Sequence, residues 1–365
     1  MEFASGAINQ IPAAVRRTGT EHVFIVTDPG VCAAGILDRV IEVLNAGGIK
    51  YNVFGDVQPN PSPQIVDTLA GELRSAGKTT VLALGGGSVM DAAKCSALLG
   101  ANSGCASTLD TRCDFEPGLP VVAVPTTAGT GSETNGFGVI EASDRPQKIY
   151  IGHPSVRPQT SILDPELTLG LPAALTAATG MDALVHGIES LASRRATPIS
   201  QSYAAQAIAL VAKWLPVAVR CGDNLEARSY MLIGSHLAGL ALSLSGLGLV
   251  HGIAHAITAR VGAPHGLALS AVLPAVMDWC APCSCHAYSQ VARAFGVTDP
   301  STRAAINACR GLADRVGARR PLTSFGVTPD MIAELAWTAV QDPVSANSPR
   351  RPTIADTAAL IAASL

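Results

Sequence analysis

Charged side chains are scarce in this sequence, and neither sign is in large excess. Lys, Arg, Asp and Glu together make up 15% of the 365 residues, with 25 basic and 28 acidic side chains and a formal net charge of −3. A protein that binds nucleic acid through its phosphates is expected to carry a basic surface, and the composition offers no basic excess to form one. We therefore do not expect a nucleic-acid partner.

Three further features that would point to other protein classes are missing. The first ten residues, MEFASGAINQ, have neither a basic region nor an apolar core, so a signal peptide is not expected. The most apolar stretch, 231–250, is interrupted by Ser, His and Gly, which favours a buried helix over a membrane span. The nine cysteines are an odd number and suit free thiols better than a disulfide framework. We expect a cytoplasmic protein with no membrane partner.

The first part of the chain alternates short apolar runs with helical patterns. Candidate strands are HVFIVTD, YNVFGDV, VLALGGGS and LPVVAVPTT, with helical segments between them. Such alternation is typical of an α/β domain with a parallel sheet. After LDPELTLGLP the sequence changes to Ala-rich segments with helical periodicity. We therefore predict two domains, an α/β domain at 1–170 and an all-helical domain at 171–365.

A three-glycine turn lies between one of these strands and the next helix. The segment VLALGGGSVMDAAK, 81–94, combines a buried strand, the turn and a helix start. Glycines let the backbone approach a ligand closely, and a helix N-terminus offers N–H groups to a pyrophosphate. The GxGxxG fingerprint of a standard Rossmann domain is absent. Ser88 and Asp91 also have capping-box spacing, so they could simply begin the helix.

Two other groups of polar residues follow predicted strands. The loop PTTAGTGSE, 125–133, carries four hydroxyl side chains that could surround ribose and phosphate oxygens with donors. Asp28 ends the first strand, where a carboxylate can accept from a ribose hydroxyl and would repel a 2′-phosphate, which favours NAD(H) over NADP(H). Each feature taken alone is more typical of an ordinary polar turn.

One helical segment carries a carboxylate and an imidazole on the same face. In GMDALVHGIES, Asp182 and His186 have i, i+4 spacing, so their side chains lie one turn apart and can hold one ion together. Glu189 lies on nearly the same face, where a solvated helix charge is the simplest interpretation. A single Asp-His pair of this spacing is common by chance.

A second segment, LVHGIAHAITARVGAPH, supplies three more imidazoles. His251 and His255 repeat the i, i+4 spacing, and His265 follows a Gly-Ala-Pro turn. Each histidine alone would suit a hydrogen-bonded core position. Pooled with the Asp-His pair, they form an oxygen and nitrogen donor set that suits Fe²⁺, Zn²⁺ or another divalent transition metal rather than Ca²⁺.

A rival metal cluster lies in WCAPCSCH, 279–286. Cys280, Cys283, Cys285 and His286 include a zinc-like C-x-x-C pair. A closed structural zinc site needs four well-spaced ligands, and the sequence has no second C-x-x-C pair. Loose thiols at a helix boundary are the favoured interpretation.

Five motifs occur in a fixed order along the chain: GGGSVMDAAK, PTTAGTGSE, LDPELTLGLP, GMDALVHGIES and GLGLVHGIAH with PHG after it. In this order the sequence resembles the iron-containing (group III) alcohol dehydrogenase family, from about Asp28 to the C-terminus. The resemblance implies a dehydroquinate synthase-like fold. Such a fold has a Rossmann-like NAD(P)-binding α/β domain with a parallel sheet, followed by an all-α metal-binding catalytic domain.

The same resemblance assigns roles to individual residues. The metal ligands of the family match Asp182, His186, His251 and His265. The cofactor-binding residues we predict are Asp28, Asn60, Gly85, Gly86, Gly87, Ser88, Asp91, Thr126, Thr127, Thr130, Ser132 and Lys148. His255 matches a histidine near the nicotinamide and substrate that is not a ligand. We predict that it relays the hydroxyl proton, because an imidazole titrates near working pH.

The resemblance implies a metal-dependent, NAD(P)-linked dehydrogenase of a small alcohol, or reductase of a small aldehyde. The expected cofactors are NAD(H) and Fe²⁺, with Zn²⁺ or another divalent metal as alternatives, and the expected assembly is a homodimer or higher homo-oligomer. Three alternatives remain open: a reductase of a small anionic carbonyl compound, similar to maleylacetate reductases, a glycerol dehydrogenase-like polyol enzyme, and a catalytically silent metal- or nucleotide-binding protein. Arg157, Arg194 and Arg195 could line a pocket for an anionic substrate.

Overall fold

Apolar strands of the first part of the chain pair into one six-stranded parallel sheet. The structure, a computed structural model, describes residues 1–365, which form two compact units. The α/β unit comprises Met1–Thr127 and Ser132–Gly170, and the helical unit comprises Ala128–Gly131 and Leu171–Leu365.

The α/β unit contains eight strands and five α-helices. The strands are β1 (Glu2–Phe3), β2 (His22–Val26), β3 (Lys50–Phe54), β4 (Thr80–Gly85), β5 (Val121–Pro125), β6 (Phe137–Glu141), β7 (Lys148–Gly152) and β8 (Thr160–Leu163). The helices are α1 (Ile11–Arg17), α2 (Pro29–Ala33), α3 (Ile36–Ala46), α4 (Pro63–Ala76) and α5 (Gly87–Ala101). Pro29 and Pro63 are the first residues of α2 and α4, where proline's missing N–H costs nothing.

The sheet has the order β1-β8-β5-β4-β2-β3, and every neighbouring pair is parallel. The strand order reverses between β2 and β4, and the carboxyl ends of strands at such a switch point are where ligands of open α/β sheets bind. Side chains alternate between two cores, so Val81 and Ala83 pack on one face while Leu82 and Leu84 pack on the other. The parallel sheet predicted from the apolar runs is confirmed.

An antiparallel hairpin, β6 with β7, was not predicted from the sequence. Its register pairs Glu141 with Lys148 and Phe137 with Gly152. The hairpin is made of short segments without a clear alternating pattern, and it packs against α5. The polar residues in it therefore owe their placement to tertiary packing.

The helical unit contains eight α-helices and no strand. They are α6 (Ala173–Ala192), α7 (Pro198–Arg220), α8 (Leu225–Ser245), α9 (Leu249–Val261), α10 (His265–Ala294), α11 (Thr302–Arg315), α12 (Ile332–Gln341) and α13 (Ile354–Ala362). Helices α6, α7 and α8 pack on one another, α10 packs on α6 and α9, and α12 packs on α9. Helix α10 is interrupted at Ser284, whose φ of −134° and ψ of 17° are not helical, so it consists of two helical segments joined at a kink.

The most apolar stretch is not a single helix. Within 231–250, α8 ends at Ser245 and α9 begins at Leu249, and their axes are bent by 105°. Gly246 lies at φ 72°, a backbone conformation that glycine adopts without strain, and this permits the bend. By length and composition alone, α7 and α10 are long and apolar enough to cross a membrane, as is the bent pair taken as one span.

Candidate metal and cofactor sites

Helix α6 brings a row of polar side chains into the interior of the helical unit. Asp182, His186 and Glu189 follow one another at i, i+4 and i+7, so all three project from the same face. The three residues are 4%, 5% and 8% exposed, respectively. Charged and polar groups are rarely this buried unless they are paired or hold a metal. Glu189 is therefore not the solvated helix charge that the sequence suggested.

Three imidazole nitrogens converge on one carboxylate oxygen. The Oδ1 atom of Asp182 lies 3.2 Å from Nε2 of His186 and 3.4 Å from Nε2 of His251. The Nε2 atom of His265, the first residue of α10, lies 3.8 Å from the same oxygen. Asp182, His186 and His251 alone satisfy the spacing of a candidate metal site, with ligand atoms within 4.8 Å of one another.

The other ring nitrogens of two of these histidines are held by acceptors. Nδ1 of His186 donates to the carbonyl of Gly129 at 3.3 Å, and Nδ1 of His251 donates to Oε2 of Glu189 at 2.6 Å. A carbonyl or a carboxylate can only accept, so the proton of each neutral ring belongs on Nδ1. The Nε2 lone pairs are then directed toward Asp182, as metal ligands require.

The residues fit a divalent cation. Oδ1 of Asp182 and Nε2 of His251 are both buried and have no hydrogen-bond partner, although they lie 3.4 Å apart. Leaving two such atoms without partners is costly, and a metal ion bound by both would remove that cost. One carboxylate with several imidazoles is a donor set for Fe²⁺ or Zn²⁺.

Burial and the neighbouring charges shift the pKa values of Asp182, His186 and His251 in different directions. Burial by itself raises the pKa of Asp182, but His186, His251 and His265 outweigh burial and hold it below its usual range. Burial lowers the pKa of His186 to about 4. Burial also disfavours the charged form of His251, but Asp182 and Glu189 outweigh it and raise the pKa of His251 to about 9.

His255 lies one turn after His251 on α9 and has a different partner. Its Nδ1 is 2.8 Å from Oδ2 of Asp342, a residue that follows α12. The ring of His255 stacks on that of His265, with centroids 5.3 Å apart and planes 17° apart. His255 is not part of the three-residue candidate metal group. The structure therefore places His255, the predicted proton relay, beside the candidate metal ligands, with the carboxylate of Asp342 as its hydrogen-bond partner.

In the α/β unit, the glycine turn lies at the carboxyl end of β4, at the switch point of the sheet. A Cβ added to Gly86 would lie 3.2 Å from Cγ2 of Thr127, which leaves little room for a side chain. Helix α5 begins at Gly87 without a side-chain cap, so the alternative capping box of Ser88 and Asp91 does not form. Its first N–H groups are not taken by a side-chain cap, as an anion site at a helix N-terminus requires.

Three of the predicted cofactor residues are brought together from separate elements. The backbone N–H of Asn60 donates to Oγ of Ser88 at 3.2 Å, and Nζ of Lys148 donates to Oδ1 of Asn60 at 3.2 Å. Asn60 has φ 52°, the one positive value at a residue other than glycine. Asparagine tolerates this conformation better than most residues, and here it directs its amide toward Lys148.

Other predicted cofactor residues are engaged within the protein. Oδ1 of Asp28 caps α2 by accepting from the N–H of Val31 at 2.9 Å, as the alternative of an ordinary turn residue proposed. Oγ of Ser132 donates to Asp91 at 2.8 Å and accepts from the buried Nζ of Lys94 at 2.5 Å. Thr126 is buried and donates its N–H to the carbonyl of Gly85, whereas Thr130 belongs to the helical unit.

Sequence reasoning placed Glu189 on the right helix face but interpreted it as a solvated charge, and it missed Asp342 and Lys94. Lys94 is fully buried and joins α5 to residues 132–135 through Ser132 and Asn135. Asp342 is 87 residues from its partner His255 in sequence, so no local pattern points to it.

The alternative metal cluster does not form. On α10, Cys280 is buried while Cys283 and Cys285 are exposed, so the thiols do not face a common point. Burial raises the pKa of Cys280 to about 12, which opposes the thiolate that zinc needs. The three arginines suggested for an anionic substrate are exposed: Arg157, Arg194 and Arg195.

Comparisons with known families decide the assignment. The model of the iron-containing alcohol dehydrogenase family matches residues 1–165, and that of the family's C-terminal region matches residues 176–365. The chain belongs to the iron-containing alcohol dehydrogenase family. It is therefore a metal-dependent alcohol dehydrogenase or aldehyde reductase with the fold of that family, as the sequence motifs predicted. The members of this family are soluble enzymes.

Individual relatives in the family cover nearly the whole chain. A probable alcohol dehydrogenase of Escherichia coli, EutG, is 38% identical over 362 residues, which are 98% of this chain and 91% of that protein. An NAD-dependent methanol dehydrogenase of Bacillus methanolicus is 33% identical over 98% of this chain and 95% of its own length. A crystal structure of a 1,3-propanediol oxidoreductase superposes with a TM-score of 0.93 at 33% identity, covering 100% of this chain and 97% of that one.

Proposed function

We propose that this enzyme interconverts a small alcohol and its aldehyde with NAD(H) as the hydride carrier and Fe²⁺ as its metal. The observation that carries the proposal is the convergence of three Nε2 atoms on Oδ1 of Asp182, with two buried atoms left unpartnered. The metal would be held by these four side chains: Asp182, His186, His251 and His265. The NAD-dependent relative supports the choice of carrier.

When bound, the metal would polarise the substrate oxygen, and the nicotinamide would give or take the hydride. His255 exchanges the hydroxyl proton at Nε2, because Asp342 accepts from Nδ1 and keeps the proton of the neutral ring there. The neighbouring His251 and His186 would not exchange this proton, since their Nε2 atoms face Asp182.

The α/β unit would bind the cofactor at the switch point of its sheet. The turn from Gly85 to Ser88 and the first N–H groups of α5 would receive the pyrophosphate. Lys148, held beside Asn60, would place a positive charge near phosphate or ribose. In this assignment residues 1–170 are the nucleotide-binding domain, and residues 171–365 are the metal-binding catalytic domain.

The test is NADH oxidation by the Fe²⁺-loaded chain with a panel of small neutral aldehydes and one anionic aldehyde. We expect turnover with neutral aldehydes that is lost in Asp182→Asn and retained in His286→Ala. His286 is an exposed histidine on α10 and so controls for histidine replacement outside the site. Absence of turnover in the metal-loaded parent with every aldehyde would refute the proposal and favour a silent binding protein.

The proposal also covers the cellular location and the oligomeric state. We propose a cytoplasmic location, because free thiols suit a reducing compartment and all nine cysteines are unpaired. We also propose a homodimer or higher homo-oligomer, as the family resemblance implies. Light scattering coupled to size-exclusion chromatography tests the second property, and a monomer at micromolar concentration would refute it.

A further inference from the structure

Glu189 divides its two carboxylate oxygens between two donors of α9. Oε1 accepts from the backbone N–H of Val250 at 2.7 Å, and Oε2 accepts from Nδ1 of His251 at 2.6 Å. The side chain is 7% exposed, and no Lys or Arg forms an ion pair with it. A buried carboxylate with these two partners serves as a cap for α9 and as an anchor for one imidazole.

We propose that Glu189 is a positioning residue for the metal, which fixes the tautomer and ring orientation of His251. This inference rests on the metal site of the proposed function and adds to it a carboxylate that holds one of the ligands in place. Because the carboxylate holds the proton at Nδ1, the lone pair of His251 stays on Nε2 and faces Oδ1 of Asp182. The anchor lies on α6, the same helix that carries Asp182 and His186, so one rigid element sets three of the four ligand positions.

The local geometry requires the carboxylate to approach the helix end closely. A Cβ added to Gly248, the N-cap of α9, would lie 2.9 Å from Oε1 of Glu189 and 3.1 Å from Oγ of Ser348. Ser348 is the second cap, since its Oγ accepts from the N–H of Leu249 at 2.7 Å. Two side chains therefore cap the same helix end, but only Glu189 contacts a predicted metal ligand.

Replacing the carboxylate by its isosteric amide separates the two roles of Glu189. In Glu189→Gln, the amide oxygen can still accept from Val250, but the NH₂ group then faces Nδ1 of His251. An NH₂ group donates, so it favours the tautomer with the proton on Nε2, where the metal needs a lone pair. The cap is retained while the tautomer is reversed.

The experiment measures Zn²⁺ affinity of the metal-free enzyme by competition with a chromophoric chelator, without substrate or cofactor. We expect Glu189→Gln to bind Zn²⁺ about 10- to 100-fold more weakly than the parent, as loss of an outer-shell partner usually does. Ser348→Ala is the matched control, which loses a cap of α9 but leaves His251 untouched. It should lower the melting temperature of the metal-free enzyme while changing the Zn²⁺ affinity less than about threefold.

Three results would contradict the inference. Unchanged Zn²⁺ affinity in Glu189→Gln would refute it, and so would an affinity loss in Ser348→Ala as large as that in Glu189→Gln. Glu189→Asp keeps two acceptor oxygens and should bind Zn²⁺ more tightly than Glu189→Gln, so the reverse order would also refute it. If His186→Ala bound Zn²⁺ as tightly as the parent enzyme does, the metal site of the proposed function would instead be refuted.

Discussion

Gly266 is the second residue of α10, directly after the predicted ligand His265, and it packs on the backbone of α6. A Cβ added there would lie 2.6 Å from the carbonyl carbon of Ala178 and closer still to its oxygen. That is at least about 0.4 Å inside the closest approach that real Cβ atoms show, and neither partner is a flexible side chain. Gly266→Ala must therefore move α10 away from α6.

The expected cost follows from that displacement. Overpacking of this kind destabilises by about 1–3 kcal/mol, which exceeds the gain of about 0.5–1 kcal/mol from replacing glycine by alanine in a helix. Metal sites tolerate ligand shifts of about 0.2 Å, and α6 carries Asp182 while α10 carries His265. We expect a melting temperature several degrees lower for the metal-free enzyme and a Zn²⁺ affinity weakened by about tenfold or more.

The assay is differential scanning fluorimetry with and without Zn²⁺, together with chelator competition. Gly311→Ala is the matched control, because on α11 the added Cβ meets only the flexible end of Arg315 at 3.5 Å. That variant should be equally or more stable than the parent and should bind metal normally. If Gly266→Ala melts and binds Zn²⁺ as the parent does, the close approach of α10 to α6 does not hold the site together.

Three further predictions concern the relay, the cofactor and the metal. Asp342→Asn should lower kcat by about tenfold or more while metal content stays near one per chain, because the amide oxygen keeps its bond to Val344 and the NH₂ group then donates to Nδ1 of His255, which moves the ring proton to Nε2; metal loss on elemental analysis would contradict this. Lys148→Met should raise the KM for NADH by about tenfold with little change in kcat, because a charge-assisted contact is lost; an unchanged KM in steady-state assays would count against it. Removing the metal with a chelator should lower the melting temperature, and Zn²⁺ at about 100 times its Kd should restore about 2.7 kcal/mol of stability; equal melting curves would argue against a bound metal.

Local sequence patterns predicted most of the fold because the periodicity of apolar residues reflects burial directly. Strands β4 and β5 are buried at every position and β2 at every position after His22, as strands covered on both faces require. The hairpin β6–β7 was missed, since its segments are short and only half-buried. The angle between α8 and α9 was not predicted, because a Gly-rich apolar run does not determine the direction in which the chain continues.

The sequence by itself determined the family, the two structural classes along the chain and the i, i+4 pairs that offer metal ligands. These depend on spacing within one helix or on motifs read in order, so neighbouring residues are enough to define them. Only the tertiary structure decided which acceptor holds each imidazole. Glu189 is 62 residues from His251 in sequence, and Asp342 is 87 residues from His255. Each carboxylate holds the ring proton at Nδ1, so that the lone pair on Nε2 faces the site. Hydrogen bonds of this kind depend on which helices pack together, and the spacing of residues within one segment does not predict that.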